Sequence, residues 1–191
     1  MLELFNSRRQ VTPQEFFTAS IAWNAFSSPD PDLIVDFLRR DFFGLPFLKP
    51  ALLRHLRQFP ALRNGLSLLQ QHILAIIAAG ESRLMPLFRA VCAREQECFI
   101  GDSSFWNCLD ELAEAKTPAV VIIGPGRLRR PVSEPIVNLD RWSVTVSSFG
   151  EELLIGGKDW IVANGIDRWL GGAHLYKNQV WRWNEDTQSL I

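Results

Sequence analysis

Asp30 and Asp32, one proline apart, are spaced like paired carboxylates, and such a pair can serve as general acid and base. No base, metal ligand or nucleophile accompanies them. Aspartates beside prolines at a helix start instead favour the helix macrodipole and cap its free N–H groups. His174 is a lone histidine with no serine, cysteine or metal partner in view, so a packed or hydrogen-bonded role is expected for it. Cys92, Cys98 and Cys108 form an odd set with no Cys-x-x-Cys pair and no histidine at zinc-ligand spacing. That pattern argues against a disulfide framework and a structural metal, and it fits a reducing cytoplasm. Gly124-Pro125-Gly126 is a weak phosphate signature, because no helix start follows it to receive an anion. No cofactor is expected, and an enzyme is the least supported class.

The remaining chemistry is that of binding, and it depends on the elements that hold it. Asp102 to Ala115, DSSFWNCLDELAEA, reads as the third helix of a winged helix-turn-helix, with Asp102 or Ser103 as its cap and Phe105, Trp106, Leu109, Leu112 and Ala113 facing inward. Ser103, Ser104 and Asn107 lie toward its start, where a reading helix contacts base edges. Asp110, Glu111 and Glu114 follow on the outward face, where they would repel phosphate. The motif's first helix starts at the capping box Ser67…Gln70 and ends at Gly80; its second carries Leu84, Leu87, Phe88 and Val91. After the third come the buried-strand run Val120 to Ile123 and a polar loop from Gly124 to Asn138 with Arg127, Arg129 and Arg130. A hairpin is then expected from the alternation Trp142, Val144, Val146 and the return Leu153-Leu154-Ile155.

Upstream, Thr12-Pro13-Gln14-Glu15 is a strong helix start, and Phe16, Ser20, Trp23 and Ala25-Phe26 offer an apolar stripe expected to be bundle core. Further helices are expected up to Arg40 and from near Pro50 to Phe59. Arg54, His55 and Arg57, with Arg63 beyond, form the most basic short segment and read as a solvated face rather than a phosphate patch. Downstream, His174-Leu175-Tyr176 and Val180-Trp181-Arg182-Trp183 read as two strands around Lys177-Asn178-Gln179, which must pack on the rest to be stable.

The expected fold is thus α+β and mainly helical. An N-terminal helical bundle (1–65) packs on a winged helix (66–157), with a C-terminal Trp-rich β-hairpin (158–191). With 47% hydrophobic and 21% charged residues the chain is globular, and no apolar run is long enough to span a bilayer. The net charge is −1, so no global field draws the chain onto nucleic acid, and the winged-helix segment is the acidic part, with eight basic and eleven acidic side chains.

Several blocks carry a family resemblance: Trp23-Asn24-Ala25-Phe26 with Ser28-Pro29-Asp30-Pro31; Leu45-Pro46-Phe47-Leu48; Arg54-His55-Leu56; Gly101-Asp102-Ser103-Ser104-Phe105-Trp106; and Asn164 to Gly172 with His174-Leu175 and Trp181-Arg182-Trp183. Together they resemble the C-terminal part of a bacterial family of uncharacterised proteins. Its members commonly carry a further N-terminal domain, so a shortened member or a fragment is expected. Where the family pattern has a Thr-x-x-Glu-like start and a Leu-Thr-x-x-Gly wing opening, this chain reads Leu68-Leu69-Gln70-Gln71 and Val144 to Gly150. The resemblance implies no catalytic residues.

Of the binding readings, a protein-interaction module comes first, meeting an unidentified protein partner or a second copy through Asp110, Glu111, Glu114, Arg168, Trp169, His174, Trp181 and Trp183. The alternative is a DNA-binding regulator using Ser103, Ser104, Asn107 and the arginines at 127, 129 and 130. No membrane partner is expected.

Overall fold

A computed structural model describes residues 8–40, 44–95, 101–125, 139–177 and 179–191. It is α+β, about half helical, with small antiparallel strand pairs. The arginines at 127, 129 and 130, and Cys98, lie outside the described residues.

Helix α1 (Pro13–Phe26) starts where local chemistry requires. Thr12 accepts from the Glu15 amide and the Glu15 carboxylate accepts from the Thr12 amide, closing the expected capping box. Arg9 then binds the same carboxylate, and this hydrogen bond, with that of the Thr12 amide, draws its pKa down to about 2. Helices α2 (Asp32–Leu38) and α3 (Leu48–Leu56) follow. Asp30 accepts from the Asp32 amide at 3.1 Å and so satisfies one free N–H at the start of α2, where Asp32 stands in the first turn; the N-cap position itself is Pro31, which makes no side-chain cap. Helix α4 (Leu68–Ala78) is closed by the Ser67–Gln70 box, and α5 (Leu84–Arg94) and α6 (Asp102–Glu114) complete the central trio. Neither Asp102 nor Ser103 caps α6: Gly101 holds that position, and the Asp102 carboxylate accepts from the Ser103 amide inside the first turn.

Strand β1 (Val120–Ile123) pairs antiparallel with β2 (Ser143–Val146), Val120 opposite Val146. Arg83, between α4 and α5, bridges to Ser143 on the other edge of β2, and the Val144 amide donates to the Ser82 carbonyl at 2.9 Å. Leu153 to Ile155 is not the second strand of a hairpin. It belongs to helix α7 (Ser148–Ile155), because Ser147 caps the Gly150 amide and Gly156, at φ +79°, supplies the left-handed stop. A short helix α8 (Trp160–Asn164) leads to β3 (Asp167–Leu170) and β4 (Ala173–Tyr176).

The C-terminal pairing also differs from expectation. Strand β4 pairs with β3 through Gly171-Gly172, and Trp183-Asn184 (β5) pairs with Ser189-Leu190 (β6). The two-residue glycine turn decides this. Gly171 has φ +60°, and a Cβ on Gly172 would lie 2.0 Å from the Ser27 carbonyl oxygen, so only glycines let the hairpin tip dock on the end of α1.

Two apolar cores result. One gathers α4, α5 and α6 with β1, β2, α7 and Trp160 around Ile73, Leu87, Phe105 and Leu109. The other joins α1, α2 and α3 to the C-terminal strands through Ile34, Leu56, Phe59, Leu175 and Trp183. Within it α1 contributes Ala22 and Ala25, whereas Phe16 and Trp23 are 70% and 64% exposed. Of the stripe expected to be core, Ala25 is buried and Phe26 half-buried, whereas Phe16, Ser20 and Trp23 face outward, because the small alanines are what permit close helix contact. No helix of the described residues is long and apolar enough to cross a membrane.

Candidate functional site

Helix α6 buries Phe105, Trp106, Leu109 and Leu112 and turns Asn107, Asp110, Glu111 and Glu114 outward. That outer face is not open on all sides. It forms one wall of a cleft of about 700 Å³, whose other wall is the run from Asn164 to Arg168 and whose floor includes Trp160, Ile161 and Gln70. Arg168 crosses the cleft mouth to the Glu111 carboxylate. At its lower end, Asn164 exchanges two hydrogen bonds with the Thr117 backbone, at 2.7 and 3.2 Å, fixing the far wall to the end of α6.

Three side chains give the cleft its negative character, Asp110, Glu111 and Glu114, against Lys116 and Arg168. Gln70 is buried, and its Oε1 accepts from the Ser67 amide at 2.8 Å, while its Nε2 donates to no protein acceptor. A buried amide left so is costly unless something completes it. Gln70 was legible as a helix cap, but its second end becomes meaningful only once the C-terminal run folds over α4.

Ser103 and Ser104, the expected base-contacting residues, are exposed on the first turn of α6, beyond the residues that line the cleft. Arg168 and Asn107 join the acidic trio there. Trp169 and His174 stand on the opposite face of the β3–β4 pair. Their rings stack at 4.4 Å and 3°, Tyr176 stacks on the histidine at 5.5 Å, and Asp167 meets the His174 Nε2 at 2.7 Å. This histidine is therefore packed and hydrogen-bonded, as expected. Trp183 leaves the interaction surface: it is buried in the second core and its Nε1 donates to Glu185 at 2.8 Å. Trp181 is half-buried and packs against the same core.

The basic segment also departs from expectation. Arg54 is not on a solvated face; it is buried and doubly hydrogen-bonded to Glu95, both contacts at 2.5 Å. Arg57 pairs with Glu185, and Arg63 donates to the Ile155 carbonyl at 2.7 Å. These three line a second cleft, of about 720 Å³, with His72 and Arg94, and there acids answer the arginines. Arg182, read in sequence only as part of a strand, holds Asp159 through contacts of 2.6 and 3.1 Å. Burial pushes the Asp159 carboxyl up, but Arg182 and the Val162 and Ile161 amides outweigh it and hold it below its ordinary range. Burial raises the Cys108 thiol, which packs in the first core.

Among the described residues, no group of three or more His, Cys, Asp and Glu could hold a metal ion. Comparison with family models, with curated proteins and with solved structures finds no match for this chain.

Proposed function

We propose that residues 66–157 form a winged helix serving as the scaffold of a non-enzymatic protein-interaction module, and that its cleft receives a basic segment of a partner protein. The order of α4, α5 and α6, the antiparallel β1–β2 pair and the Arg83 bridge to β2 support the winged-helix reading. The second core, of α1, α2 and α3, is the counterpart of the expected bundle, shared here with C-terminal strands. The resemblance to the bacterial family stands beside this reading as an expectation of kinship.

One observation carries the interaction reading. The outer face of α6, which a DNA-reading helix must lay bare in the major groove, is instead a cleft wall tied by Glu111 to Arg168. Its carboxylates oppose phosphate and suit lysine or arginine, and the unsatisfied Gln70 amide suits a peptide carbonyl. His174 stacks between Trp169 and Tyr176 on the other face of the β3–β4 pair and does not line the cleft.

Fluorescence anisotropy tests both the module and its rival. A labelled arginine-rich peptide is expected to bind, and Asp110→Asn with Glu114→Gln to weaken it roughly tenfold, since each exposed ion pair is worth up to about 1 kcal/mol. Neutralising Glu151 and Glu152 on α7, away from the cleft, serves as the control and leaves binding unchanged. Duplex DNA at moderate salt is expected to bind weakly. Tight duplex binding that collapses steeply with added salt would replace this reading with a DNA-binding regulator.

A further inference from the structure

Helix α1 presents a face that the cleft does not use. Phe16, Ser20, Trp23 and Ser27 follow one another at spacings of four, three and four residues, so they form a single stripe, opposite the buried Ala22 and Ala25. Phe17, 65% exposed, flanks it. From Phe16 to Pro29 no side chain is ionisable, whereas a solvated helix face normally carries charge.

The hydroxyls along this helix are bonded to its own backbone. Ser20 donates to the Phe16 carbonyl at 2.9 Å, Ser27 to the Trp23 carbonyl at 2.7 Å and Thr18 to the Gln14 carbonyl at 3.0 Å. A face whose hydroxyls are bonded to its own backbone loses little on leaving water. Such a face is prepared to be covered.

The order of sizes identifies the cover. Along the stripe large and small residues alternate: Phe16, Ser20, Trp23, Ser27. When a second copy of the helix is laid antiparallel, the register that sets Phe16 opposite Ser27 also sets Ser20 opposite Trp23. Every aromatic ring then meets a serine, in both directions, which is the self-complementarity that two-fold symmetry demands. A membrane surface would favour basic residues beside the apolar ones. The nearest arginine described with a partner, Arg9, is engaged by Glu15.

We propose that α1 is a homodimer interface in which two chains pack these stripes antiparallel about a two-fold axis. Three aromatics two-thirds exposed offer roughly 300–500 Å² per copy, so the pair buries about 600–1,000 Å², the scale of a weak, reversible contact. The dimer is accordingly weak and forms and dissociates with concentration. It is separate from the acidic cleft, so either assignment can fail without the other.

Sedimentation equilibrium across a wide concentration range tests the register as well as the interface. The wild-type chain is expected to show a monomer–dimer equilibrium. Ser20→Trp makes the face more apolar but fills the hole that receives Trp23, and it is expected to weaken the dimer at least roughly tenfold. The exchange Ser20→Trp together with Trp23→Ser restores knob and hole, and with them the dimer. Phe16→Glu abolishes it. All three sites are exposed, so helical content and melting temperature should stay near the wild type, and Val162→Glu is a surface control that leaves the dimer intact. A wild-type chain monomeric at every concentration overturns the proposal, as does a dimer strengthened by Ser20→Trp. Flotation with neutral phosphatidylcholine vesicles by a chain that stays monomeric in water would also overturn it, in favour of a lipid-facing helix.

Discussion

Replacing Arg54 by alanine, or Glu95 by glutamine, is expected to destabilise the chain by about 3–5 kcal/mol in chemical denaturation. The guanidinium presents Nε and one terminal nitrogen to the two carboxylate oxygens at 2.5 Å each, with side chains only 10% and 5% exposed. Each ion alone would lose its principal countercharge in a site away from water. The cost therefore comes from the abandoned partner more than from the lost attraction. Arg54 belongs to α3 and the second core, whereas Glu95 closes α5 and the first, so the pair also fastens the two cores together. The double replacement Arg54→Met with Glu95→Leu removes both charges at once and should recover most of the loss, because apolar packing of similar volume often matches a buried pair. Single variants that cost less than about 1 kcal/mol, as exposed pairs do, would show that this pair is open to water.

The elements that sequence marked out correctly are those with local chemistry. Thr12 with Glu15 and Ser67 with Gln70 close boxes within one turn, and no distant residue is needed to explain them. The errors arise where pairing is decided at long range. Leu153-Leu154-Ile155 has the look of a strand, yet Ser147 and Gly156 delimit a helix around it. Likewise Tyr176 and Gln179 form an isolated bridge rather than the start of a hairpin, and β4 takes β3 as its partner through the glycine pair.

The site was legible in its parts but not in its assembly. Asp110, Glu111 and Glu114 recur at helical spacing, so their shared outward face follows from periodicity. That this face looks onto Asn164 to Arg168 depends on contacts over more than fifty residues, such as Arg168 with Glu111, for which one sequence holds no signal. The exposure of Phe16 and Trp23 was hidden for a different reason. An apolar stripe records what avoids water, and it is the same whether a core or another molecule provides the shelter.

Acid is expected to destabilise the chain through His55, by about 3 kcal/mol between pH 6.5 and 4. The ring lies between Phe26, at 4.8 Å, and Phe59, at 5.9 Å, and its Nε2 is buried with no protein hydrogen-bond partner. Burial holds its pKa down to about 4, against 6.5 for an unconstrained histidine. As pH falls the unfolded chain binds this proton first. The stabilisation is thus complete above pH 6.5 and is lost progressively until the folded state protonates near pH 4. Burial lowers the pKa of His72 as well, despite the opposing pull of Glu95, so it acts in the same direction. Glu15 weakens folding in a lower window, from its ordinary value of 4.5 toward 2, as protonation releases Arg9 and the Thr12 amide. His55→Phe keeps a ring between the two phenylalanines and removes the titration. Urea denaturation at successive pH values should give this variant a distinctly flatter stability profile between pH 6.5 and 4.5. An unchanged slope would place the acid sensitivity elsewhere, and His72→Gln would then be the variant that flattens it.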